Sequence, residues 1–151
     1  MERGPVVFAR EVCTADLMAE LMPLFELHYL EIAHYKDIPL EIDVARYLAI
    51  EAQNALRFYV ARVAGKSVGY AIYIVNYNLH YMGSLQAAQD VIFIEPVQRG
   101  FGQQFIQWCD DRLHDDGVQV VAHHIKAAHN FGPMLERMGY ELVDLIYSRR
   151  L

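Results

Sequence analysis

The sequence predicts a mixed α/β (α+β) domain in which helices are set around a largely meandering sheet. Three observations carry that expectation. Short segments rich in β-branched and aromatic residues alternate with stretches of helical period. Two of those segments flank a tight turn, as a hairpin would. One strand-like run passes through a glycine turn directly into an amphipathic helix. At 151 residues, 54% hydrophobic and 21% charged, the chain has the length and composition of one globular domain spanning 1–151 with a continuous core.

Residues 6–12 suit a first strand. Thr14 then offers an N-cap, with Asp16 in the first turn where the helix dipole favours a carboxylate. Leu17, Leu21, Leu24 or Phe25, His28 and Ile32 recur at helical spacing, while Pro23 breaks the run or opens a second helix, so two short helices are expected. Asp37-Ile38-Pro39 interrupts the pattern, and Val44, Tyr47, Leu48 and Glu51 mark a further helix ending near Asn54. Segments 56–63 and 67–77 flank Ala64-Gly65-Lys66 and read as a hairpin. Residues 76–84 form a polar, aromatic loop leading into a strand over 85–94. From Gly102 onward Phe105, Ile106, Cys109 and Leu113 repeat at three and four residues, with Gly117 where a C-cap belongs. A strand over 118–125, a short helix over 133–138 stopped by Gly139, and a closing strand over 141–147 complete the order.

Composition narrows the function classes. A net charge of −6 argues against a general nucleic-acid binder, which needs clustered Lys and Arg, and suits a cationic amine substrate. The longest apolar runs fall far short of the roughly 20 residues of a bilayer span, and residues 1–5 lack the apolar stretch of a secretion signal, so a cytoplasmic protein without a membrane partner is expected. Cys13 and Cys109 form no Cys-x-x-Cys pair and read as reduced structural residues.

The stretch Val91-Ile92-Phe93-Ile94-Glu95-Pro96-Val97-Gln98-Arg99-Gly100-Phe101-Gly102 holds most of the chemistry. A buried strand here delivers a glycine turn to a helix N-terminus, whose unpaired N–H groups and positive dipole end, with Arg99 beside them, make an anion site suited to a pyrophosphate. Gly100 and Gly102 allow close approach of the backbone. An ordinary strand-to-helix loop with a surface arginine fits the same spacing. A dinucleotide fingerprint does not: Phe105 stands where a third glycine is needed and Gln119 where an acidic residue should end the next strand. No Gly-Lys-Ser/Thr follows for a Walker loop.

The run 92–96, then Gln98-Arg99-Gly100-Phe101-Gly102 and Phe105-Ile106, resembles the acetyl-CoA motif of the GNAT (Gcn5-related N-acetyltransferase) superfamily, and the order of elements resembles that family over nearly the whole chain. Gln89-Asp90-Val91, His123-His124 and Asn130-Phe131-Gly132-Pro133 look like the wording of small GNAT-like proteins of phages and bacteria. The resemblance implies a mostly antiparallel sheet flanked by helices, in which a strand bulged at 92–94 splays from the strand at 118–125 to admit the pantetheine arm. Acetyl-CoA would then be the co-substrate. Backbone groups at Ile92, Phe93 and Ile94 would pair with its amides, Gln98, Arg99, Gly100, Phe101, Gly102, Gln103 and Gln104 would bind its pyrophosphate, and Asn130 joins the cofactor-binding set. Two departures stand out. The Arg or Gln that the family spaces three residues before the first glycine falls on Val97, for which Gln98 or Arg99 substitutes. Leu135 occupies the place, four residues before Gly139-Tyr140, where the family often has a tyrosine acid. Dimers are common among the proteins resembled, so a homodimer is among the expectations.

Other constellations carry less. His123, His124 and His129 have no cysteine or acidic partner at a zinc spacing, and adjacent strand residues face opposite ways, so no metal is expected. His28 on an apolar stripe reads as a hydrogen-bonded core residue. Ser67, Ser84 and Ser148 lie in no Gly-x-Ser-x-Gly elbow, and Cys109 falls on a buried helical stripe. Tyr73, Tyr77, His80 and Tyr81 line an acceptor pocket or simply pack across a hairpin.

The expected reaction is transfer of the acetyl group of acetyl-CoA to a primary amine of a small molecule or protein, by direct attack in a ternary complex. Asp90 and His124, which flank the slot implied by the resemblance, are the nominated proton carriers, with Glu95, Tyr140 and Tyr147 in reserve. The rival reading is a catalytically silent acyl-CoA-binding or protein-binding regulatory module on the same fold.

Overall fold

The computed structural model describes residues 4–151. Five strands, β1 (Val6–Arg10), β2 (Leu56–Val63), β3 (Lys66–Tyr77), β4 (Leu85–Ile94) and β5 (Val120–Ala122), form one sheet in sequence order. The first four pair antiparallel and β5 joins β4 in parallel. Helices α1 (Ala15–Ile32) and α2 (Val44–Ala52) precede β2, α3 (Gly102–Asp115) separates β4 from β5, and α4 (Gly132–Arg137) follows β5. No helix among the described residues is long and apolar enough to cross a membrane.

The sheet separates two cores because its strands alternate between them. Leu56, Phe58 and Val60 of β2, with Tyr70 and Ile72 of β3, pack under Leu17, Met18, Leu21, Leu24 and Phe25 of α1. Tyr59 and Ala61, with Ala71 and Tyr73, meet Phe105, Cys109 and Leu113 of α3, three residues of the apolar stripe legible in the sequence. Both cysteines are free and buried. The β2–β3 hairpin turns at Ala64 and Gly65, whose φ values of 49° and 79° lie in the left-handed region that such tight turns require. Gly69 of β3 is needed for a different reason: a Cβ there would lie 2.8 Å from the Phe93 carbonyl oxygen of β4.

Four expectations are corrected. Residues 15–32 form one continuous helix, with Pro23 inside it, rather than two. The missing N–H and the ring clash cost about 3 kcal/mol. Burial of Leu21, Leu24 and Phe25 around the proline offsets that, at ~1.5–3 kcal/mol per large side chain. The β4 bulge lies at Asp90, not at 92–94: Val91 pairs with Ile72 and Gln89 with Tyr73, leaving Asp90 as the extra residue. The strand expected over 118–125 pairs only across Val120–Ala122, since β4 turns away at that bulge. Residues 141–147 form no strand. The segment runs instead toward the α1–α2 loop, where Tyr35 Oη meets Ser148 Oγ at 3.0 Å and Arg150 pairs with Asp37.

Candidate active site

The parting of β4 and β5 creates the site. Their last ladder pair is Ala88 with Ala122. One residue further, Gln89 Oε1 and His123 Nδ1 bond at 3.1 Å on the α3 side, a side-chain bridge at the point of divergence. The next residues, Asp90 and His124, open on the other face into a cavity of about 350 Å3. Beyond Ala88 one edge of β4 still pairs with β3 and the other faces the cavity, so about every second backbone N–H and C=O of residues 89–94 points into open space.

Of the residues expected at the site, the cavity is lined by Asp90, Ile92, Phe93, Ile94, Arg99, Gly102 and His124. Gly102 begins α3, so the cavity ends on the first turn of that helix. A Cβ on Gly102 would meet only Ile94 Cδ1, at an ordinary 3.6 Å, so nothing within the chain itself demands glycine there. Gln98, Gly100, Phe101, Gln103 and Gln104 lie in the loop and first turn but outside the cavity lining. Phe101 turns its ring to Phe8, 5.8 Å between centroids. Asn130 also lies off the cavity, its Oδ1 accepting from the Gly132 N–H at 2.8 Å.

Arg99 is already engaged. Its Nε donates to the Ile94 carbonyl at 3.0 Å, its Nη2 to the Glu31 carboxylate, and its guanidinium lies 5.7 Å from the Phe93 ring centroid. Glu31 also stands 3.4 Å from His129 Nδ1, so the end of α1 touches both walls of the cavity. Lys126 and Phe131 complete the wall beyond β5.

Asp90 is held from behind. Tyr47 of α2 donates its hydroxyl proton to the Asp90 carboxylate, and burial, with that carboxylate, pushes the Tyr47 phenol well above its ordinary pKa. His28 stacks on Phe93, 4.9 Å between centroids, and its Nδ1 bonds Tyr70 Oη at 2.8 Å. Burial lowers His28 to about 4, so it is neutral near pH 7. His123, driven to about 4 chiefly by burial, is neutral too, and its buried Nε2 has no hydrogen-bond partner among the described residues. His124, by contrast, is exposed on the cavity side.

The reserves lie elsewhere. Tyr140 donates to Asp110 of α3 at 2.6 Å, Tyr147 is 90% exposed in the C-terminal segment, and Glu95 does not line the cavity. Leu135 is buried. Tyr73 packs under α3, while Tyr77 and Tyr81 are exposed away from the cavity. Among the described residues no three His, Cys, Asp or Glu side chains gather as a metal site. The sequence marks neither Tyr47 nor Glu31 as a site residue, and it raises His129 only as a metal-ligand candidate. Tyr47 had shown only as part of the α2 stripe, and its partner lies 43 positions away.

Known structures share this sheet, in which the fourth and fifth strands part over a helix N-terminus. Neither a protein-family model nor a curated protein matches the sequence. A transcriptional regulator from Bacillus halodurans C-125 is similar with a TM-score of 0.76 at 17% identity, over 97% of this chain and 100% of that one. A ribosomal-protein-alanine N-acetyltransferase from Brucella melitensis biovar Abortus 2308 gives 0.73 at 19% identity, over 97% and 99%. A predicted acetyltransferase from Clostridium acetobutylicum, solved with acetyl-CoA, gives 0.71 at 12% identity, over 97% and 96%. The chain has the GNAT fold.

Proposed function

We propose that the chain is an N-acetyltransferase that moves the acetyl group of acetyl-CoA to a primary amine of a small molecule or protein. One observation carries this reading: a single cavity joins the N-terminus of α3 to the free edge of β4 and ends at a bulged carboxylate, Asp90, facing His124. The first turn of α3 suits a pyrophosphate, the free β4 edge suits the pantetheine amides, and the apolar walls of Ile92, Phe93 and Ile106 suit the arm between them. In the transfer, the ammonium form of the amine first gives one proton to solvent; the neutral nitrogen then attacks the thioester carbonyl carbon and gives its second proton to Asp90 or His124 as the N–C bond forms. The N–C bond forms as the carbonyl oxygen gains charge opposite β4 N–H groups. The C–S bond then breaks, and the sulfur leaves as a thiolate protonated from His124 or solvent. No covalent acyl-protein step is needed, in keeping with the burial of both cysteines.

A second reading, a binding or regulatory module without turnover, draws on Leu135, buried where a tyrosine acid is often found. Thiol release measured across an amine panel separates the two. Acceptor-stimulated release supports the transferase, whereas acetyl-CoA binding without release for any amine supports the module.

A further inference from the structure

His28 is the last residue of the buried stripe on α1 and the one polar side chain in it. It is 8% exposed, and burial keeps its imidazole neutral near pH 7. A neutral imidazole has one nitrogen that donates and one that accepts, so the ring's neighbours decide which group it can offer a ligand.

Tyr70 makes that decision. Its side chain is fully buried, and its hydroxyl makes one hydrogen bond among the described residues, to His28 Nδ1 at 2.8 Å. Burial also holds the phenol well above its ordinary pKa, so the hydroxyl keeps its proton. If Nδ1 carried a proton and donated it, the Tyr70 O–H would be left in the core with no acceptor. With Nδ1 as the acceptor, one bond satisfies both groups. The ring proton is therefore on Nε2.

That second nitrogen is free. It has no partner among the described residues, yet it is not sealed in as His123 Nε2 is, and the open space that His28 borders is the cavity. The ring is held from a second side by its stack on Phe93, at an interplanar angle of 24°. Phe93 lies on β4 between the bulge at Asp90 and the start of α3 at Gly102. The Nε2–H is thus a fixed, uncharged donor part-way along the cavity, among the apolar walls of Ile92, Phe93 and Ile106.

An acyl-CoA with its pyrophosphate on α3 and its thioester at Asp90 passes its pantetheine arm between those two ends. The arm carries two amides, and each carbonyl oxygen has two lone pairs to satisfy once it leaves water. An uncharged N–H suits such an oxygen; it offers nothing to an ammonium, which only donates. We infer that His28 is a cofactor-binding residue whose Nε2–H donates to an amide carbonyl of the pantetheine arm, an inference that rests on reading the cavity as an acetyl-CoA site.

Calorimetric titration with acetyl-CoA and the nitrogen NMR resonances of the His28 ring test this on the full chain at pH 7. The parent is expected to carry its ring proton on Nε2, and that resonance is expected to move as acetyl-CoA saturates. Two variants separate the donor from the packing of the ring: His28→Leu and His28→Gln, each combined with Tyr70→Phe so that no buried hydroxyl loses its acceptor. The Gln amide nitrogen reaches close to where Nε2 stood and restores a donor. Affinity is expected to fall about three- to tenfold in the Leu pair and to return to within about twofold of the parent in the Gln pair. A ring proton on Nδ1, an Nε2 resonance that stays still while β4 amides shift, a Leu pair that binds as the parent does, or a loss that Gln does not restore would each overturn the inference and leave the acetyl-CoA reading standing. A folded parent that binds no acetyl-CoA would overturn both. The ring resonances are read on the parent, so they decide the matter even if a variant fails to fold.

Discussion

Asp90 occupies the one residue of β4 that has no partner across the ladder, and the bulge turns it to the same face as Val91, over the cavity. Tyr47 then fixes its rotamer. Asp90→Asn keeps size and hydrogen bonding while removing the carboxylate proposed as base, so amine-stimulated turnover is expected to fall about a hundredfold at unchanged acetyl-CoA affinity. Tyr47→Phe removes only the donor, and a smaller loss of kcat with a shifted pH profile marks its role as positioning; full parental kinetics in both variants would contradict it. The buried histidines set a pH dependence of stability. His28 and His123 titrate near 4 when folded and near 6.5 when unfolded, so between those values the unfolded chain binds more protons. The melting midpoint is therefore expected to hold above pH 6.5 and to fall as pH drops toward 4, with a shallower fall in His28→Gln. Asp90, His124, Ile92, Phe93, Ile94, Arg99 and Gly102, nominated through the resemblance of the 92–106 run, do line one cavity, because most of them lie in one continuous stretch of chain. Tyr47 and the tie from Glu31 to Arg99 were not legible in the sequence, because each joins residues on different elements that only the fold brings together.

Among the elements, those with strong local signals appear where the sequence puts them. Thr14 caps α1 through the Leu17 N–H at 3.1 Å, and the α3 stripe buries Phe105, Ile106, Cys109 and Leu113. Phe105→Ala, at a fully buried ring stacked 4.8 Å from Phe8, is expected to lower unfolding free energy by about 3–5 kcal/mol in denaturant titration. Pro23 misleads because local propensity opposes tertiary packing there, and packing prevails. Pro23→Ala is accordingly expected to stabilise the protein by up to about 3 kcal/mol; a loss of stability would show that the proline is required by the packing of α1. The end of β5 and the segment 141–147 misled for a related reason: β propensity states that a strand can form, and a partner edge decides whether it does.

For the whole molecule, the order of strands along the sheet follows chain order, so the succession of elements in sequence already conveyed most of the topology. The parallel direction of the β4–β5 pair was not legible in the sequence; the splay of the two strands came as an implication of the resemblance in the 92–106 run, and the bulge placed there at 92–94 lies two residues earlier, at Asp90. The central claim is that this divergence holds acetyl-CoA with its pyrophosphate on the first turn of α3. It is tested most directly by titrating acetyl-CoA into the parent chain and into Gly102→Asp, reading both heat of binding and melting midpoint. Gly102 has room for a side chain within the fold, so the variant is expected to melt near the parent without ligand. Its carboxylate would face the pyrophosphate, so affinity is expected to fall at least tenfold, while the parent midpoint rises with ligand concentration. A folded parent whose midpoint does not move at millimolar acetyl-CoA, or a variant that binds as the parent does, would contradict the account.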